Sequence, residues 1–212
     1  MADVAERILV SCALKKEARG LRQHWRREWR LTVTGLGADR TVRALDAELD
    51  RQRPELLIFT GMAGQLDPGL TLGEFCFPRS WLTESGTEFS TPSVWVERLA
   101  AKGWKIDGRG VTTRIPVVKA ADRLELHRRF QASICDLESA TAMMVAAAHG
   151  VPCLAPKLIS DTADSGMLAF YRRFDENIEV LADFIERLLE DAEACLEAAA
   201  VQGGTLNDPV LD

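Results

Sequence analysis

The order in which short apolar runs and amphipathic stretches follow one another constrains this chain most. Residues 8–14, Ile-Leu-Val-Ser-Cys-Ala-Leu, read as a buried strand, and the stretch to about Trp29 as a helix. Leu31-Thr32-Val33-Thr34 and Leu56-Leu57-Ile58-Phe59-Thr60 are two more strands. Between them Val42, Leu45 and Leu49 line one face of a helix that closes near Pro54. Further on, residues 74–77, 110–118 and 151–159 have strand character. Residues 94–101, 121–130 and 137–149 have helix character, the last capped by Gly150. From about Asp175 a stripe of Ile178, Leu181, Ile185, Leu188, Ala192 and Leu196 predicts a long terminal helix. Strands alternating with helices predict an α/β fold: three layers, α/β/α, around a central mixed, largely parallel sheet. Such sheets gather ligands at the carboxyl ends of their strands.

A chain of 212 residues has room for one core, predicted to span residues 1–201 with a flexible tail over 202–212. Its net charge of −6 argues against a nucleic-acid partner. No apolar run approaches a membrane span, and no secretory signal follows Met1, so the expected location is the cytoplasm, without stable membrane insertion. Cys12, Cys76, Cys135, Cys153 and Cys195 are scattered and form no CxxC, as expected of small buried hydrophobes under reducing conditions. His24, His127 and His149 lack ligand spacing, so neither a metal nor a cofactor is expected.

Two segments carry carboxylates where strand-like runs stop: Cys135-Asp136-Leu137-Glu138-Ser139-Ala140 and Ile159-Ser160-Asp161-Thr162-Ala163-Asp164. Such a carboxylate either ties down a turn or holds a ligand. Asp136 stands where a helix N-cap would, and Asp164 could cap the next turn. Two glycine segments also close strands, Thr34-Gly35-Leu36-Gly37 and Thr60-Gly61-Met62-Ala63-Gly64, and there backbone amides can approach a sugar or anion. Residues 15–30 hold seven basic side chains with Trp25 and Trp29. That mixture suits single-stranded nucleic acid or an anionic membrane; the reading favoured over it is a solvated helix with its tryptophans packed down.

In wording and order these segments resemble the nucleoside phosphorylase/nucleosidase superfamily, nearest to methylthioadenosine/S-adenosylhomocysteine nucleosidase-like hydrolases. The resemblance runs over most of residues 7–190 and is thin over 79–118. It implies a base-releasing enzyme with a nucleoside as its small-molecule partner, and a homodimer. Asp161 matches the aspartate that protonates N7 of adenine, with Ser160 as its hydrogen-bonding neighbour. Glu138 matches the glutamate that binds the ribose hydroxyls and stabilises the cationic sugar, and Leu137 the methionine that packs on the ribose. Glu17, in Ala-Leu-Lys-Lys-Glu-Ala, matches the glutamate that activates water. Ala13, Leu36, Met62, Ala63, Gly64, Asp136 and Val118 complete the implied substrate contacts.

Cleavage of an N-glycosidic bond needs a protonated leaving base, a stabilised ribosyl cation and a nucleophile on the far face, and carboxyl groups can supply all three. The nucleophile reads as water. The phosphorolytic relatives' Gly-x-Pro-x-Arg loop is missing, since no proline precedes Pro54, and Phe59 and Met62 stand where those relatives carry arginine and serine. The expected reaction is hydrolysis of an adenine nucleoside such as 5′-methylthioadenosine or S-adenosylhomocysteine. A phosphorylase, a hopanoid-associated or futalosine-type nucleosidase, and a catalytically degenerate nucleoside-binding protein stay open. Met62 replaces a hydroxyl residue, and Val117 and Val118 fall where an aromatic side chain would stack on adenine.

Overall fold

The computed structural model describes residues 7–162 and 172–201. Asp164, the residues before Arg7 and the expected 202–212 tail lie outside the described residues. In chain order the elements are β1 (Ile8–Cys12), α1 (Lys15–His24), β2 (Arg30–Val33), α2 (Ala38–Arg51), β3 (Leu56–Phe59) and β4 (Met62–Gln65). Then come β5 (Phe75–Cys76), β6 (Ser80–Thr83), β7 (Glu88–Ser90), α3 (Ser93–Ala101), β8 (Arg109–Thr112) and α4 (Ala120–Phe130). The last are β9 (Ile134–Asp136), α5 (Ser139–Ala148), β10 (Cys153–Leu154), β11 (Lys157–Asp161) and α6 (Phe174–Val201).

The fold is the expected α/β layering with mixed, largely parallel sheets. Four parallel strands run in the order β10-β3-β1-β2, with Val10 beside Ile58 on one side and Leu31 on the other. A seven-stranded mixed sheet follows the order β5-β11-β4-β9-β8-β6-β7. The alternation of side chains along a strand splits β1 and β3 between two cores. Ile8, Val10, Cys12, Leu56 and Ile58 face α1 and the long helix α6, whose buried stripe includes Leu181, Ile185 and Leu188. Leu9, Leu57 and Phe59 face the other way, toward Leu45 and Leu49 of α2 and Ala140, Met143 and Ala146 of α5.

Four local departures from the sequence reading shape the site. The first helix ends at His24, where Trp25 turns to extended backbone and the Arg26 amide donates to Glu186 of α6 at 2.8 Å. The strand expected over 151–159 is broken by Ala155 and Pro156 into β10 and β11, one in each sheet; proline cannot extend the ladder, and its carbonyl accepts from the Thr60 hydroxyl at 3.2 Å. The glycine segment after β3 does not remain a loop: Met62–Gln65 pairs in parallel with β11 and antiparallel with β9. The expected 110–118 strand stops at Thr112, leaving Thr113 to Val118 as a wall beside the site.

The basic stretch packs against α6. Arg26 pairs with Glu186 at 2.9 Å, Arg27 with Glu193 at 2.7 Å while lying over the Trp29 ring, and Lys16 with Asp175 at 3.1 Å. Trp29 is buried. This is the packed-down arrangement, with its charges largely answered from within the fold. All five cysteines are buried and unpaired. No helix among the described residues is long and apolar enough to cross a membrane.

Candidate active site

A pocket of about 410 Å³ opens where the ends of β1, β4, β9 and β11 meet the starts of α1 and α5. Its walls hold the catalytic and substrate-contact residues that the resemblance implied: Glu17, Asp136, Leu137, Glu138, Ser160 and Asp161 with Ala13, Leu36, Met62, Ala63, Gly64 and Val118. Residues distant in the chain thus converge on β4, which has β11 beside it in parallel and β9 antiparallel, so that Cys135 and Asp161 flank Gly64 from either side.

Glu17 sits in the first turn of α1 and is buried. Its Oε2 accepts the Leu14 amide at 3.0 Å and its Oε1 the Met62 amide at 3.2 Å. The first of these contacts closes the helix start, so this glutamate is also the charged helix opening that the sequence allowed. Gly61 makes the second possible: its φ is +142°, and a Cβ there would stand 2.9 Å from Glu17 Oε1. Burial pushes the Glu17 carboxyl above its ordinary range, against the opposing pull of Lys157 and the two amides.

Glu138 stands at the N-cap of α5, and its Oε1 accepts the Gly37 amide, the N-cap of α2, at 2.8 Å. Two helix starts therefore meet at one carboxyl group. Burial first, and the Asp136 charge second, push the Glu138 carboxyl up to about 7. Asp136 turns inward. It accepts from Thr112 Oγ1 at 2.7 Å, Ser139 Oγ at 2.5 Å and the Ser139 and Glu138 amides at 3.1 and 3.3 Å, and its Oδ2 lies 3.2 Å from Lys157 Nζ. These contacts make it a structural anchor of the α5 start as well as a wall residue, but the N-cap position expected for it falls two residues later, at Glu138, because the helix begins at Ser139. Asp161, at the end of β11, accepts the Ser160 hydroxyl on Oδ1 at 2.9 Å, and Arg123 Nη2 donates to its Oδ2.

Lys157 and Arg123 were not foreseen. Lys157 is 2% exposed, in ion contact with Asp136 and 4.3 Å from the centroid of the Phe59 ring. A lone cation inside the apolar run Leu154-Ala155-Pro156-Lys157-Leu158-Ile159 was a legible signal, because a buried lysine requires a partner. Arg123 gave no such signal, being one of several basic residues on a polar helix. Among the described residues no group of three or more His, Cys, Asp or Glu is arranged to hold a metal.

Residues 105–197, which include Glu138, Asp161, Lys157 and Arg123, match the phosphorylase superfamily model. The three-dimensional comparisons extend the likeness to nearly all of the chain. Futalosine hydrolase of Helicobacter pylori strain 26695 aligns at a TM-score of 0.75 and 15% identity, over 87% of this chain and 97% of that one. The chain shares the fold of that hydrolase. The 5′-methylthioadenosine/S-adenosyl homocysteine nucleosidase of Campylobacter jejuni aligns at 0.75 and 17% identity, over 89% and 99%. The corresponding nucleosidase of Neisseria meningitidis, solved with methylthio-immucillin-A, aligns at 0.75 and 16%, over 88% and 98%. Comparison with curated protein sequences finds no match.

Proposed function

We propose that this protein is a nucleosidase that hydrolyses the N-glycosidic bond of a purine nucleoside. The observation that carries the proposal is the convergence of Glu17, Glu138 and Asp161 on one pocket, each at the end of a different strand–helix connection. The fold likeness to 5′-methylthioadenosine/S-adenosylhomocysteine nucleosidases and futalosine hydrolase supports it.

In this reading the ribose lies over Leu137 with its hydroxyls on Glu138, the base extends toward Asp161, and water waits beside Glu17. As the N9–C1′ bond breaks, its electron pair passes to the base and N7 takes a proton from Asp161 in its protonated form, leaving a carboxylate held by Ser160 and Arg123. Positive charge grows on the sugar, and Glu138, in its ionised form, stabilises it. Water adds to C1′ and gives its proton to Glu17, so free base and free ribose leave together. Burial raises the affinity of Glu17 for a proton, which suits a base for water. The 5′-substituent would leave past the exposed side chains of Leu36 and Val118.

Phosphate fits the pocket poorly. Of the lysines and arginines that line the pocket, Lys15, Lys16 and Arg123, the last two are engaged by Asp175 and Asp161, and Glu17 and Glu138 would repel an anion at the sugar. The test is base release by the wild type against Asp161→Asn, with the fold of the variant checked by circular dichroism. The variant should lose at least about 100-fold in turnover. Near-normal release by a folded variant would remove Asp161 as the acid.

A further inference from the structure

We propose that Arg123 reads the leaving base and selects a purine with an acceptor at position 6, a 6-oxopurine, over a purine with an amino group there. The inference rests on the nucleosidase reading, and it departs from the adenine that the sequence resemblance implies.

Arg123 projects from the first turn of α4, is 3% exposed, and yet lines the pocket beside Asp161. A guanidinium has five N–H donors and no acceptor, and it keeps its proton in proteins. Here Nε donates to the Val117 carbonyl at 2.9 Å, and Nη1 to the carbonyls of Gln65 at 3.1 Å and Asp161 at 3.3 Å. One hydrogen of Nη2 goes to the Asp161 carboxylate. The fifth N–H, also on Nη2, has no acceptor among the described residues. A donor that lines the pocket and has no protein acceptor is available to an acceptor on a ligand.

Gly64 makes the space. A Cβ on it would stand 3.2 Å from Asp161 Oδ2 and 3.3 and 3.4 Å from the two terminal nitrogens of Arg123. With glycine there, the Arg123–Asp161 pair can lie against the end of the pocket assigned to the base. The edge of a purine that meets this pair carries N7 and the substituent on C6. A 6-oxopurine offers two acceptors along that edge, the pattern that arginine reads in guanine. With Asp161 supplying the proton for N7, the spare N–H of Arg123 meets O6. A 6-aminopurine would turn two N–H donors toward the guanidinium. Asp161 offers that amino group an acceptor, but its oxygens already take hydrogen bonds from Ser160 and Arg123.

The test is calorimetric titration of the full chain with hypoxanthine and with adenine, repeated on Arg123→Gln and Arg123→Lys. The wild type should bind hypoxanthine at least about 10-fold more tightly. Arg123→Gln, whose amide can present either a donor or an acceptor, should bring the ratio toward one. Equal or tighter binding of adenine by the wild type, or failure to bind either base, overturns the proposal. So does an unchanged ratio in a folded variant. If Arg123→Gln does not fold, Arg123→Lys, which keeps the charge but not the fork, should narrow the ratio. Nucleoside turnover, measured alongside, separates the two claims. Hypoxanthine preference without base release from any nucleoside removes the activity and keeps the base reading. Base release with an adenine preference does the reverse.

Discussion

Replacing Lys157 with methionine removes a buried cation that faces Asp136, and its cost can be worked from the geometry. Lys157 Nζ lies 3.2 Å from Asp136 Oδ2, and both side chains are 3% exposed. Removing one partner of a buried ion pair costs about 3–5 kcal/mol, because the other charge is left without compensation. Asp136 keeps its hydrogen bonds from Thr112, Ser139 and the Glu138 amide, which holds the loss near the lower end, about 3 kcal/mol. Methionine is close in volume to the lysine stem, so little of the loss is cavity, although the contact of the ammonium with the Phe59 ring, 4.3 Å from its centroid, goes with the charge. With a urea slope of about 3 kcal/mol/M, the midpoint should fall by roughly 1 M. The double variant Asp136→Asn/Lys157→Met should recover a large part of that loss, since the stranded charge has gone. The assay is urea denaturation of the wild type, both single variants and the double variant at pH 8. A Lys157→Met midpoint within about 0.3 M of wild type, or no recovery in the double variant, refutes the reasoning.

Three further outcomes follow from the same site. Glu138 binds its proton more tightly in the folded protein (pushed up to about 7) than the usual 4.5 of the unfolded chain. Between those values the native state holds the extra proton, so its contribution to stability is present at low pH and is lost as pH rises through about 7. Glu138→Gln should therefore flatten the decline of melting temperature from pH 5 to pH 8 and melt higher than wild type at pH 8; an unchanged slope counts against the buried carboxyl. Activity should move the opposite way, with kcat/KM rising through about pH 7 as Glu138 ionises, and a profile flat from pH 5 to 9 would deny it the ribose role. Gly61→Ala would force a Cβ to within 2.9 Å of Glu17 Oε1 at a φ of +142°, so it should lose at least about 1 kcal/mol and most of its turnover; equal stability and activity would show that this approach matters little.

The apolar periodicities exposed the layers of the fold because three strands of the first sheet, β1, β3 and β10, are buried on both faces. Ile8, Val10 and Cys12 go to one core and Leu9 to the other, and the single polar residue of the run, Ser11, is itself buried. Asp136, Glu138 and Asp161 were legible for a related reason, since a carboxylate that ends a buried strand has no solvent to satisfy it. The second sheet was harder to read. Its strands β6 and β7 are short, and Ser80, Thr83, Glu88 and Ser90 give them polar edges. Trp81, wholly buried against Gly110, is the side chain that holds them to the core. Met62–Gln65 read as a glycine loop because its ladder depends on β9 and β11, residues far along the chain. Partners were invisible for the same reason: nothing near Arg123 in sequence indicates that it reaches Asp161, nor anything near Arg26 that it reaches Glu186.

The central claim, hydrolysis of a purine N-glycosidic bond by Glu17, Glu138 and Asp161, is tested most directly by the products. Purified protein is incubated with a panel of purine nucleosides differing in base and 5′-substituent, with and without phosphate, and base and sugar are separated chromatographically. The account predicts free base and free ribose in equal amounts at a rate indifferent to phosphate, abolished in Asp161→Asn. Ribose 1-phosphate formed only when phosphate is present, or no base released from any member of the panel, would contradict it.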